Sequence, residues 1–196
     1  MFRPYPISFL QFGLYWIVLM VGAAALFRAF AGRSRGEPGA KRSRLSTLGI
    51  ALQAVGFAVV GTGPMRFALP WSAPSSIVCS LLVVLLGGSA VAIFIAATRA
   101  MGKNWSIVAR TRADHELVRT GPFAVVRHPI YLALLLYLLS FGIAFGHFGQ
   151  FVVGLPFYLA GTAIRIRVEE TMLRAQFGEA HARYVREVPA VIPFLR

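Results

Sequence analysis

The sequence predicts an all-α polytopic membrane bundle of about five spans with a C-terminal amphipathic cytoplasmic helix. Three observations carry that prediction. The 196-residue chain is 57% hydrophobic with a mean hydropathy of +0.68, whereas about half apolar is usual for a soluble domain. Several apolar runs approach the ~20 residues that a membrane helix requires. The basic residues fall in alternate connections between those runs, which is the positive-inside pattern.

Taken in order, the spans read as 7–30, 45–63, 74–97, 129–146 and 149–166. The start, MFRPYPISFLQFG, lacks the charged opening and small-residue cleavage site of a secretory signal, so it reads as the lead into the first helix. The loop SRGEPGAKRSR follows as a flexible connection. Gly87 and Gly88 within the third span are placed for close helix contact. The last two spans are joined by Gly146-His147-Phe148-Gly149, and so tight a connection favours antiparallel neighbours, a helical hairpin. The tail, LRAQFGEAHARYVREVPAVIPFLR, reads as an amphipathic helix carrying Leu173, Phe177 and Tyr184 and ended by Val188-Pro189. It lies on the membrane surface or lids a site. The whole is expected to be one membrane domain, 1–196: three N-terminal spans over 1–97, then a cofactor-binding catalytic half over 98–196.

Charge sets the orientation. Arg33, Arg35, Lys41, Arg42 and Arg44 crowd the first connection, and Arg66 stands alone in the second. The third holds Arg99, Lys103, Arg110, Arg112, Arg119 and Arg127, and the fourth, around His147, holds none. The N-terminus is therefore expected outside and the C-terminus in the cytoplasm, across the inner membrane were the source bacterial. A net charge of +13 is accounted for by this arrangement and by anionic headgroups, with no need for nucleic acid. Cys79, the one cysteine, lies in an apolar run and reads as a buried hydrophobe. The four histidines have no metal-binding spacing, no Gly-x-Gly-x-x-Gly follows a strand, and there is no nucleophile elbow. No metal is expected.

Two polar clusters remain. All seven acidic residues fall on the predicted cytoplasmic side, and six lie after residue 113: Asp114, Glu116, Glu169, Glu170, Glu179 and Glu187. The first cluster is LVRTGPFAVVRHPIY, residues 117–131. Pro129 suits the opening turn of a helix, and His128 before it is biased to an extended conformation. The free N–H groups that follow suit an anion or a polar ligand group, and Tyr131 falls close to His128. Gly121-Pro122 marks a turn where backbone can approach a ligand. The bland alternative makes Arg127 and His128 snorkelling helix-end anchors. The second cluster is Glu169-Glu170. Its bland alternative is a salt-bridge ladder, Arg165 with Glu169 and Glu170 with Arg174. Adjacent carboxylates point about 100° apart on a helix, so the two are not expected to serve one face equally. His181 reads as a solvated helix residue. Trp105 reads as an interfacial aromatic or, more sharply, as a substrate contact.

Together the parts resemble the isoprenylcysteine carboxyl methyltransferase family and its relatives, the membrane phospholipid methyltransferases. The pieces that match are Gly102-Lys103-Asn104-Trp105-Ser106, Leu117-Val118 to Gly121-Pro122-Phe123, and Arg127-His128-Pro129-Ile130-Tyr131. Glu169-Glu170, Leu173, Phe177-Gly178 and Tyr184 continue the match, which covers roughly residues 98–190. The resemblance implies a methyltransferase dependent on S-adenosyl-L-methionine, acting at the cytoplasmic face on a lipidic or prenylated acceptor, an isoprenylcysteine-like carboxylate being favoured. It implies that Leu117, Val118, Thr120, Gly121 and Phe123 wrap the cofactor and that His128 and Tyr131 line its pocket. Glu169 or Glu170 would hold its amino group. Arg167 is implied as the residue for a substrate carboxylate, with Trp105 as a second substrate contact, and Arg167 and Glu170 as the catalytic pair. Two departures stand out. Phe123 occupies a position where the family usually has Tyr, and Ala133 one where it usually has Gly.

A carboxylate acceptor is already ionised near neutral pH, so methyl transfer to it is mainly a matter of positioning. An amine or hydroxyl acceptor would need a base, with Glu169 or Glu170 as first candidate. Two other classes compete. Membrane sterol and steroid reductases carry an Arg-His-Pro-x-Tyr-like stretch and use NADPH, though on longer chains. A non-enzymatic membrane partner would use both clusters only as anchors.

Overall fold

The computed structural model describes residues 3–31, 43–102 and 117–193. Five α-helices dominate, in the order β1 (Pro6–Ile7), α1 (Phe9–Ala31), α2 (Arg44–Gly61), β2 (Arg66–Phe67), α3 (Pro74–Met101), α4 (Pro129–Phe145) and α5 (Phe151–Glu187). The protein is an all-α membrane bundle. α1, α2, α3 and α5 are each long and apolar enough to cross a membrane, and α4 is an apolar helix of 17 residues. Four of the five helices start and stop within a few residues of the predicted spans. α5 is the exception.

The chain rises and falls so that one end of the bundle gathers the short connections. There β1 and β2 pair in parallel through Pro6–Arg66 and Ile7–Phe67, and the Tyr5 N–H donates to the Gly146 carbonyl. His147, fully buried, bonds the Val60 carbonyl through Nδ1 at 2.8 Å. The other end receives the C-terminus of α1, the N-terminus of α2, the C-terminus of α3, the N-terminus of α4 and the far half of α5.

Packing departs from the expected hairpin. α5 lies chiefly against α2, and α4 chiefly against α3, which also carries α1. Glycines explain the first pairing. A Cβ on Gly161 would stand 2.5 Å from the Gly49 carbonyl oxygen, and one on Gly56 would stand 2.8 Å from that of Gly154. The two helices thus meet backbone to backbone at glycines spaced seven apart on each, the small-residue contact that membrane helices favour. α4 and α5 are joined by the tight turn yet held apart by rings and leucines. Leu138, Tyr158, Leu134, Phe141, Phe57 and Phe151 share one cluster there. Gly87 behaves as predicted, since a Cβ would meet Val18 and Ser140 at 2.6 and 2.9 Å, whereas Gly88 has open space. Cys79 is a free thiol buried in the cluster with Tyr15, Val83, Ile143 and Ala144.

The tail is helical as expected, following α5 without a loop but set off from it by a kink. α5 runs on to Glu187 with one break at Gly178, whose φ of +48° and ψ of −120° lie where glycine alone sits freely. At about 1.5 Å per residue the stretch of α5 before the break, 151–177, reaches about 40 Å, against a hydrocarbon layer of about 30 Å. The half of α5 that follows Arg165 therefore overruns the apolar layer.

Candidate functional site

Polar side chains from α2, α4 and α5 converge where α4 begins and α5 leaves the apolar layer. Pro129 occupies the first turn of α4 and His128 is its N-cap residue, at φ −125° and ψ 61°. The His128 side chain makes no cap bond, which leaves both ring nitrogens for α5. Nε2 lies 3.0 Å from Glu170 Oε1 and Nδ1 lies 3.4 Å from Glu169 Oε2. The two carboxylates therefore do share a partner, because the imidazole stands between them and offers one nitrogen to each. Burial opposes charge on His128, but the hydrogen bonds to Glu169 and Glu170 outweigh it and raise the pKa above its ordinary 6.5.

Arg127 also turns inward. Its Nε donates to Glu170 Oε1 at 2.8 Å, and its guanidinium donates to the carbonyls of Val185 and Val188. Burial alone would raise the Glu170 pKa; the hydrogen bonds from His128 and Arg127 reverse that and hold it at about 2. The anchor reading of Arg127 and His128 fails on this geometry, since His128 is 6% exposed and Arg127 faces Glu170. Of the expected ladder only one rung forms among the described residues, Arg165 to Glu169 at 3.9 Å.

Tyr131 lies one turn into α4 and is buried. Its hydroxyl donates to Glu169 Oε1 and accepts from Arg165 Nε at 2.8 Å. The Arg165 guanidinium also lies 5.1 Å from the centre of the Tyr131 ring, a cation–π contact. On its far side Arg165 reaches Gln53 Oε1 of α2 at 3.4 Å, and Gln53 Nε2 donates to Thr162 Oγ1 at 2.8 Å.

The far end of α5 closes over this cluster. After the Gly178 break, the Tyr184 hydroxyl donates to the Phe123 carbonyl at 2.6 Å, and Arg119 pairs with Glu187. Beyond the helix, the carbonyls of Pro189 and Ala190 accept the backbone N–H groups of Arg127 and His128 at 2.8 and 2.9 Å. Of the two roles considered for the tail, it covers the cluster. His181 is consequently not solvated. It is 1% exposed, its Nε2 stands 3.6 Å from Glu170 Oε2, and neither ring nitrogen finds a hydrogen-bond partner among the described residues. Burial and the charges of Arg127, Arg174 and His128 lower its pKa against the pull of Glu170.

The remaining expected residues divide. Leu117 and Val118 are half-buried, Thr120 and Gly121 are exposed, and Phe123 is buried. Gly121, at φ +61°, opens a single 3-10 turn over Gly121–Ala124. Ala133 is buried within α4. Arg167 is exposed, about 200° around the helix from Arg165, so the cluster holds Arg165 in its interior and leaves Arg167 at the surface. Trp105 lies outside the described residues. Arg165 and Gln53 were not singled out as site residues from the sequence, though each left a signal. Arg165 shares a face with Glu169 four residues on, and Gln53 is a lone amide inside an apolar span, where polar groups are costly. Among the described residues no group of three or more His, Cys, Asp or Glu is placed to hold a metal ion.

Residues 80–175, which contain α4, the Arg127-His128-Pro129 entrance and Glu169-Glu170, match the isoprenylcysteine carboxyl methyltransferase (ICMT) family. The match covers just under half of the chain, and over it the chain resembles the ICMT family. A Schizosaccharomyces pombe protein described as protein-S-isoprenylcysteine O-methyltransferase is 29% identical over 89 residues, 45% of this chain and 38% of that protein. The cobalt-zinc-cadmium resistance protein CzcN of Cupriavidus metallidurans is 34% identical over 97 residues, 48% of this chain and 44% of its own. The match thus spans less than half the length of either relative. In this matched segment the paired carboxylates, His128 and Tyr131 form one bonded unit, and Gln53 joins it from outside the segment.

Proposed function

We propose that the chain is a membrane methyltransferase that uses S-adenosyl-L-methionine and methylates a lipidic or prenylated carboxylate at the basic, cytoplasm-facing end of the bundle. The family match and the fission yeast relative support the reaction class. The observation that supports the choice of acceptor is that both candidate bases are already engaged, Glu170 by Arg127 and His128 and Glu169 by Tyr131 and His128. Carboxylates so engaged are poorly placed to act as the base that an amine or hydroxyl would need. A carboxylate acceptor needs none.

The donor set fits the cofactor. The amino-acid end of S-adenosylmethionine carries an ammonium and a carboxylate, and the cluster presents both signs at partly exposed positions, with Glu169 and Glu170 at 26% and 21% exposure. Glu170 is already neutralised by Arg127 at 2.8 Å, whereas Arg165 stands 3.9 Å from Glu169. Glu169 is therefore the better receiver for the ammonium, and Glu170 holds Arg127 and His128 in place. When bound, the cofactor supplies an activated methyl group. The exposed backbone at Thr120 and Gly121, with Leu117, Val118 and Phe123 beside it, borders the cofactor, and Arg167 is a surface cation available to the acceptor carboxylate.

Calorimetric titration of S-adenosylhomocysteine into the detergent-purified protein tests this reading. Saturable binding is expected, weakened about tenfold (~1.4 kcal/mol) by E169Q. No heat at millimolar ligand, or binding of NADPH in its stead, overturns the cofactor assignment. Labelled methyl transfer into a total lipid extract, read by mass spectrometry, identifies the acceptor.

A further inference from the structure

The polar cluster extends beyond the matched segment, and Gln53 is where it does so. This residue lies in the middle of α2, is 5% exposed, and has both ends of its amide engaged by α5. An amide at this depth of a span is costly unless its bonds are made, and Gln53 makes them to Thr162 and Arg165. The neighbouring turn of α2 is equally committed to Arg165. A Cβ on Gly49 would stand 2.5 Å from the Arg165 Cγ, so the arginine stem lies in the groove that Gly49 leaves open. Arg165 in turn donates to the Tyr131 hydroxyl, and that hydroxyl donates to Glu169.

We propose that Gln53 is a positioning residue of the site: acting through Arg165, it holds Tyr131 and Glu169 in the arrangement that faces the ligand. Its amide oxygen accepts from the guanidinium and sets the rotation of the fork. The guanidinium, a donor only, requires the amide oxygen, which leaves the amide nitrogen to donate to the Thr162 hydroxyl. The inference rests on the proposed function only for the ligand it predicts, because the chain of bonds exists without ligand.

The test uses Gln53→Met, which keeps the length and apolar packing of the side chain, and Gln53→Glu, which keeps an acceptor for Arg165. Two measurements are made on the full chain in detergent. The first follows imidazole titration by NMR of histidine-labelled protein, with the His128 signal assigned through His128→Asn. Gln53→Met should lower the His128 midpoint by about half a pH unit, as Glu169 loses its tether and moves away from Nδ1. Gln53→Glu should keep the midpoint close to that of the parent protein. The second is S-adenosylhomocysteine calorimetry, where Gln53→Met should weaken binding about fivefold and Gln53→Glu less than twofold. An unchanged His128 midpoint in Gln53→Met overturns the proposal. So does a shift of equal size in Gln53→Glu, which would mark a packing effect alone. If the parent protein binds no S-adenosylhomocysteine while the midpoint still moves in Gln53→Met and is restored in Gln53→Glu, the cofactor reading fails and the positioning role stands.

Discussion

His128 and Glu170 are a pair whose protonation states stabilise the fold in opposite pH directions. Glu170 titrates at about 2 in the folded protein against an ordinary 4.5, so its contribution is complete above pH 4.5 and is lost as pH falls toward 2. His128 is raised above 6.5, so its contribution is complete below 6.5 and is lost as pH rises through the folded value. The contributions of both are complete between about pH 4.5 and 6.5. His181, whose pKa is lowered, withdraws stability as pH falls below 6.5. Thermal unfolding in detergent should therefore show greatest stability near the upper end of that window. E170Q should flatten the acid limb and lower stability by about 1–3 kcal/mol, because it leaves Arg127 and His128 short of an acceptor. An acid limb that persists unchanged in E170Q would show that other carboxylates set it. At this scale, what the sequence made legible was the set of participants in the cluster rather than their pairings. Arg127-His128-Pro129, Tyr131 and Glu169-Glu170 stood out as polar groups at the end of apolar runs. The choice of Arg165 over Arg167 as the interior cation depended on helix phase, and His181 depended on a tail whose fold-back no local pattern announces.

At the scale of elements, hydropathy located the helices because the apolar layer dictates where they begin and end. It did not reveal partners. The α2–α5 seam is written in Gly49, Gly56, Gly154 and Gly161, and such a repeat can be recognised only once two helices are considered together. Gly161→Ala should cost about 1–3 kcal/mol, because its Cβ would stand 2.5 Å from the Gly49 carbonyl oxygen and 2.9 Å from the Gln53 backbone nitrogen, neither of which can step aside. Gly88→Ala, with open space around it, should be neutral or stabilising by up to about 1 kcal/mol. Paired thermal melts decide this, and equal effects at the two glycines would discredit the seam. Gly178 is the second element-scale prediction. Gly178→Ala meets no atom within 4 Å but disfavours the φ +48°, ψ −120° backbone by about 1–3 kcal/mol. It should straighten α5, lift Tyr184 and Pro189 from their partners, and speed limited proteolysis after residue 178. Unchanged cleavage would show that the tail is held by its own contacts alone.

For the molecule as a whole, the structure gathers the helix ends that carry Arg28, Arg44, Arg99, Arg127 and the far half of α5 at one end, and places Arg66 and the Gly146–Gln150 turn at the other. By the positive-inside rule, the proposed orientation turns the basic end, and the site with it, toward the cytoplasm. In a Cys79→Ala background, Ser72→Cys should react with an impermeant maleimide applied to intact cells and Glu187→Cys should not. The reverse pattern would invert the orientation and place the site on the other face.

The glycine seam has a bearing on lipid traffic. Where carbonyl oxygens of one helix lie against the bare Cα atoms of the next, there is no width for a methylene chain, so the boundary between α2 and α5 is closed to hydrocarbon along the stretch from Gly56–Gly154 to Gly49–Gly161. An acyl or prenyl tail dissolved in the bilayer meets that face of the protein as a wall.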